Sequence, residues 1–179
     1  MKCNIFFSMF ILLACSNKPQ LSNVVIDLSN QKLHALPDSV LQRHDITHLF
    51  LGNGFTLYPP LSALGMDDAA LGSHANKISS LPPQIAHLQN LRVLDLTAND
   101  LRSLPDEIAS LNKLDTLGLA FNSQLNLANE YEKLKKLKGL TYLEIVGITF
   151  TQSDIKSLKK ALPDTRIVAS MEEFVNNIK

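Results

Sequence analysis

Hydrophobic residues recur along this chain with a spacing that is neither purely helical nor purely that of a strand. In LRVLDLTANDLRSLP, residues 91–105, leucine stands at 91, 94, 96, 101 and 104, with asparagine at 99 and proline closing the stretch. The two-residue step from Leu94 to Leu96 suits a strand, in which alternate side chains share one face. Beyond Asn99 the steps lengthen, so the stretch predicts a short strand, a turn and a segment heading back. One such unit cannot bury its own leucines, and copies of it must supply the missing surface.

Copies are present. A shift of 23 residues carries Leu91, Leu94, Leu96 and Asn99 onto Leu114, Leu117, Leu119 and Asn122, and the reverse shift gives Leu71, Asn76, Ile78, Leu81 and Pro82. VIDLSNQKLHALP (25–37), ITHLFLGNGFTLYPP (46–60) and LTYLEIVGITF (140–150) are further copies. Unit starts near 23, 46, 68, 91, 114 and 140 are spaced by 23, 22, 23, 23 and 26 residues.

This pattern resembles LxxLxLxxNxLxxLPxxIxxLxx of the leucine-rich repeat family, over residues 23–168 in about six units. The resemblance implies an α/β solenoid, curved, with a parallel β-sheet on the concave face and short helices or irregular segments on the convex face. Leu91, Leu94 and Leu96 would then stack on their counterparts. Asn76, Asn99 and Asn122 would form a structural ladder, their amides donating to and accepting from backbone of adjacent turns. Pro105 would open a helical turn, PDEIASLN, returning Ile108 and Leu111 to the core. PPQIAHLQ (82–89) and PDSVLQRH (37–44) repeat that arrangement.

The pattern weakens in places. Asp68 and Ser73 replace leucines in the third unit, which should therefore be the weakest turn. The asparagine position becomes Gln31 in the first unit and Ile148 in the last. From Ser153, SDIKSLKKALPDTRIV reads as a capped amphipathic helix followed by an edge strand. MEEFVNNIK places Met171, Phe174, Val175 and Ile178 on one helical face, as a C-terminal capping helix over residues 169–179 would. A partner-binding helix is the other reading of that face.

Ahead of the repeats, MKCNIFFSMFILLACSNKPQ (1–20) has one early lysine and an apolar run from Ile5 to Ala14, too short for an ordinary membrane-spanning helix. That is a secretory-signal pattern. LLAC (12–15) resembles the lipobox of bacterial lipoproteins, which implies cleavage after Ala14 and lipidation of Cys15. Residues 1–14 then read as signal peptide and 15–22 as lipidated cysteine and tether. Two or three acyl chains, palmitate among them, would give stable anchoring. Ser16 in place of aspartate leans towards the outer membrane or cell surface rather than the inner membrane. An uncleaved signal anchor, or a buried N-terminal helix with an incidental cysteine, is the alternative.

Composition changes little. The 179 residues are 45% hydrophobic, enough for one domain, and 17 basic against 17 acidic side chains argue against a nucleic-acid partner. The only cysteines, Cys3 and Cys15, leave the repeats without a disulfide framework or thiolate metal site. No phosphate loop or zinc spacing is present, and GNG (52–54) lacks the third glycine of a dinucleotide fingerprint. His34, His44, His48, His74 and His87 fall on different repeat positions. Ser73 beside His74 has no recognisable third group. An enzyme, a metal and a cofactor are therefore not expected, and the chain reads as a monomer.

What remains is a surface. Side chains between the core leucines on the concave face include Asp27, His48, Phe50, Arg92, Asp95, Asp115, Phe121, Tyr142 and Glu144, a mix of aromatics and charges that suits protein binding. The sequence thus reads as a membrane-tethered module for protein–protein interaction at a bacterial envelope. The alternative is a structural or glycan-binding envelope lipoprotein that uses Lys133, Lys135, Lys136, Lys138, Lys156, Lys159 and Lys160 as a basic patch for anionic polymers.

Overall fold

A computed structural model describes residues 23–53 and 74–176, together with the side chains up to Glu173. Six three-residue strands lie side by side in chain order: β1 (Val25–Asp27), β2 (His48–Phe50), β3 (Val93–Asp95), β4 (Thr116–Gly118), β5 (Tyr142–Glu144) and β6 (Arg166–Val168). Every pairing is parallel and in register, so three rows run across the sheet. The middle row, Ile26, Leu49, Leu94, Leu117, Leu143 and Ile167, points into the core. The rows on either side of it face outward, because successive strand residues alternate.

Each strand hands the chain to a convex return that carries the other core leucines. These returns are the helix α1 (Asp38–Leu41), single 3-10 turns at Pro83–His87 and Asp106–Ser110, α2 (Leu127–Leu134) and α3 (Gln152–Ala161). Ile85, Leu88, Ile108 and Leu111 are buried, as the repeat requires. Pro105 stands one residue outside its 3-10 turn, extended at φ −68° and ψ 153°, rather than as its first residue. Its fixed φ suits that position, and no donor is lost where none is needed. In α3 the cap is Thr151, not Ser153. Thr151 Oγ1 accepts from the Asp154 backbone at 3.2 Å and Asp154 Oδ2 accepts from the Thr151 backbone at 2.7 Å, a reciprocal box.

The second turn differs from the sequence reading. No rung from the expected third unit separates β2 from β3, which pair directly through Leu49 and Leu94. Asn76 is the ladder residue of the second turn. It donates to the carbonyl at its own strand exit, Leu51 (2.9 Å), and to the preceding one, Leu28 (2.8 Å). Asn99 likewise donates to Leu96 (3.1 Å) and Leu51 (3.0 Å), and Asn122 to Leu119 (2.9 Å) and Leu96 (3.0 Å). The second turn therefore begins at Ile46, and its described part after residue 74 supplies the buried residues Ile78, Leu81 and Ile85. Asp68 and Ser73 lie outside the described residues.

A further regularity went unread in the sequence. The residue two places beyond the last core position of a strand adopts positive φ in several turns: Asn30 (55°), Ala98 (55°), Phe121 (58°) and Gly147 (74°). This is how the chain swings from strand to return, and only Gly147 is free of the Cβ penalty there. At the C-terminal end α4 (Met171–Asn176) follows β6. Its Glu173 accepts from the Ala169 backbone at 3.0 Å, and Met171 remains 45% exposed. Ile178 lies outside the described residues, as do Cys15 and the rest of 1–22.

Candidate functional site

The outward rows of the sheet read, strand by strand, Val25, His48, Val93, Thr116, Tyr142 and Arg166 on one side of the core row. On the other side they read Asp27, Phe50, Asp95, Gly118, Glu144 and Val168. Eight of the nine sequence candidates fall on or beside this face from β2 to β5 or at its N-terminal edge. Asp27 is exposed on the edge strand and accepts from the Ser29 backbone at 2.9 Å. His48 Nδ1 lies 2.8 Å from Thr47 Oγ1. Arg92 and Asp115, one residue ahead of their strands, approach to 3.9 Å as a surface pair worth little to stability.

Phe50, Asp95, Tyr142 and Glu144 converge. Together with Val93, Leu94, Thr116 and Gly118 they line a hollow of about 300 Å³ on the sheet. Its walls are mainly apolar, and its polar groups are few and specific, as in a binding pocket. Gly118 sits in register between Asp95 and Glu144. A Cβ at Gly118 would lie 2.9 Å from Asp95 Oδ1, and one at Gly52 would clash with Asp95 Oδ2. Two glycines thus leave room for one carboxylate, which also accepts from the Thr97 backbone at 2.9 Å.

Phe121 does not join them. Its positive φ turns it out of the strand direction, and its ring packs with Ala120, Val146 and Val168 above Gly147. Its place in the sequence, two residues after Leu119, mimics strand alternation, but the strand has already ended at Gly118.

Glu144 is the most unusual group on the face. It is 2% exposed, and its Oε1 has no hydrogen-bond partner. Burial, and then the charge of Asp95, push its carboxyl up to about 7. The unfolded chain releases this proton near the ordinary 4.5, so between those values the folded state holds the extra proton. Stability from this group is therefore greatest below the ordinary value and falls as pH rises to about 7. Allowing for solvent reaching the carboxyl through the open hollow, the wild type should lose on the order of 2 kcal/mol between the two ends of that window. Glu144→Gln should remove that slope, read as denaturant midpoints at either end. An unchanged slope would place the carboxyl in a wetter setting than described.

Three of the seven convex lysines are engaged by neighbouring groups. Lys133 Nζ turns inward, 2.8 Å from buried Glu130 and 2.7 Å from the Leu104 carbonyl. Lys135 pairs with Glu132 at 2.6 Å, and Lys138 donates to the Ala161 carbonyl at 2.9 Å. Lys136, Lys156, Lys159 and Lys160 stay exposed. The histidines are less scattered than their spacing suggests. His44 and His87 meet on the convex side with ring centroids 6.3 Å apart, because adjacent returns stack. Among the described residues no three histidine, cysteine or acidic side chains are placed to hold a metal ion.

Residues 74–123 match the family model described as leucine rich repeat. A Leptospira interrogans LRR protein of known structure superposes with a TM-score of 0.60 at 28% identity, over 79% of this chain and 30% of the other. The fold is a leucine-rich-repeat solenoid. A second solved structure, the TLR13–ssRNA13 complex, aligns at TM-score 0.50 and 18% identity over 82% of this chain and 21% of the other, a likeness of fold alone. An internalin, inlF, from Listeria monocytogenes shares 18% identity at TM-score 0.44, over 76% of this chain and 45% of its own. The chain thus spans less than half the length of each of these proteins. No curated protein matched. Leucine-rich-repeat solenoids are commonly protein-interaction modules and typically not enzymes.

Proposed function

We propose that this solenoid is a protein-binding module tethered by a lipidated Cys15 to a bacterial envelope membrane, at the outer membrane or cell surface, with the concave sheet as its binding face. The observation that carries the reading is the hollow flanked by Phe50 and Tyr142 with Asp95 and Glu144 in it, where apolar walls and a few desolvated polar groups combine. The convex lysines offer less, since Lys133 and Lys135 already spend their charge on neighbouring glutamates. That weighs against the anionic-polymer reading.

Two experiments test the parts separately. Cys15→Ala should release the protein from the membrane fraction of producing cells, and retention of that variant contradicts the anchor. Replacing Phe50, Arg92 and Tyr142 together with alanine should lower partner capture by about a hundredfold with an unchanged circular dichroism spectrum. Undiminished capture moves the partner surface off the concave face.

A further inference from the structure

Asp95 and Glu144 stand on either side of Gly118, two strand spacings and so roughly 10 Å apart at Cα. With no side chain on Gly118, the floor between them is open to the hollow that Phe50 and Tyr142 border. Glu144 lines that hollow while almost wholly buried, and its Oε1 meets no donor. A buried acceptor without a donor costs about 1–3 kcal/mol and more when charged, so a ligand that supplies donors and positive charge recovers it. Among the described residues no lysine, arginine or histidine forms an ion pair with Glu144.

Resting on the concave-face reading and making it specific, we propose that this hollow receives an arginine side chain of the protein partner. The guanidinium donates to the carboxylates of Glu144 and Asp95 and lies against the Phe50 or Tyr142 ring. Guanidinium suits the place better than ammonium for three reasons. It is planar, it carries five donors in a fixed fork that can reach two acceptors, and it sheds water more readily. Its plane also gains from an aromatic face. A hollow of about 300 Å³ has room for the head and part of the stem of one such side chain. The pressure on the Glu144 carboxyl, raised to about 7 by burial and by Asp95, is what an arriving cation relieves.

The test is a titration of the isotope-labelled full chain in detergent with N-acetyl-arginine amide, followed at the backbone amides of Thr116, Gly118 and Tyr142, with EDTA throughout. The neutral isostere N-acetyl-citrulline amide and N-acetyl-lysine amide serve as comparisons. Saturable shifts at those amides are expected with the arginine probe, about tenfold weaker binding with citrulline and a clear loss with lysine. Glu144→Gln, with its fold verified by its denaturation midpoint, should weaken the arginine probe about fivefold or more.

Silence at these amides, equal binding of citrulline or of lysine, or indifference to Glu144→Gln overturns the assignment. So does a response to calcium, with EDTA omitted, in place of one to arginine. If the arginine probe is silent while capture still depends on Phe50, Arg92 and Tyr142, this inference alone falls. If arginine binds but capture ignores that triple replacement, the protein partner falls and the hollow is a small-cation site.

Discussion

Asn122→Ala should cost on the order of 4 kcal/mol, enough to unfold much of a solenoid of this size. The side chain is fully buried and works in both directions. Its Oδ1 accepts from the Leu101 backbone at 3.0 Å, and its Nδ2 donates to Leu96 at 3.0 Å and Leu119 at 2.9 Å. Truncation orphans the Leu101 N–H and the Leu119 carbonyl in a space too apolar to hydrate them, each at about 1–3 kcal/mol, while the Leu96 carbonyl loses one of two donors and keeps Asn99 at 3.1 Å. Because Leu96 and Leu101 belong to the preceding turn, the loss falls on the interface between turns, where repeat proteins gain their cooperativity. Denaturant unfolding should show a lower midpoint, and a second, separated transition is expected if the turns on either side of the lesion uncouple. A cost under about 1 kcal/mol would mean that water replaces the amide.

Glu130→Ala should cost about 3 kcal/mol, the second-largest effect. Glu130 is buried on α2, and its Oε2 accepts from the Leu104 backbone at 3.0 Å and from Lys133 Nζ at 2.8 Å. Lys133 in turn donates to the Leu104 carbonyl at 2.7 Å. The pair thus ties both backbone groups of Leu104, in the third turn, to the helix of the fourth. Without Glu130 the Leu104 N–H is orphaned, and the ammonium must leave its site, losing its bond to the carbonyl. Adding Lys133→Met should restore part of the loss, since it removes the stranded charge and keeps the stem. A double variant no better than Glu130→Ala would show that the unpaired N–H, rather than the charge, carries the cost. Midpoints of the three proteins decide it.

The leucine rows were legible because the repeat dictates them: Leu49, Leu94, Leu117 and Leu143 all meet in the middle row of the sheet. The ladder was legible at Asn76, Asn99 and Asn122 for the same reason. The third unit was expected to add a rung between β2 and β3 because the asparagine spacing there equals one repeat. Twenty-three residues separate Asn53 from Asn76, so the asparagines stay in phase although β2 pairs directly with β3. Asp68 and Ser73, polar where leucine belongs, were the visible warning.

On the candidate face, Phe50, Asp95, Tyr142 and Glu144 were found individually by strand alternation. Their convergence was not, because it depends on register across turns of unequal length and on Gly118, whose missing side chain has no hydrophobic signature. Phe121 was misplaced since nothing in the one-dimensional pattern marks where the strand ends and the left-handed step begins. The burial of Glu144 likewise follows from its neighbours on β4 and β6, which no local window contains.

The most direct measurement of the concave face as the binding surface is site-specific photo-crosslinking in living cells. A photoreactive residue is placed in turn at Thr116, beside the hollow, and at Glu107, exposed on the convex return of the adjacent turn. One discrete protein adduct is expected from position 116, absent from position 107 and lost when Glu144→Gln is added. Adducts from position 107 alone, or equal adducts from both, would contradict it.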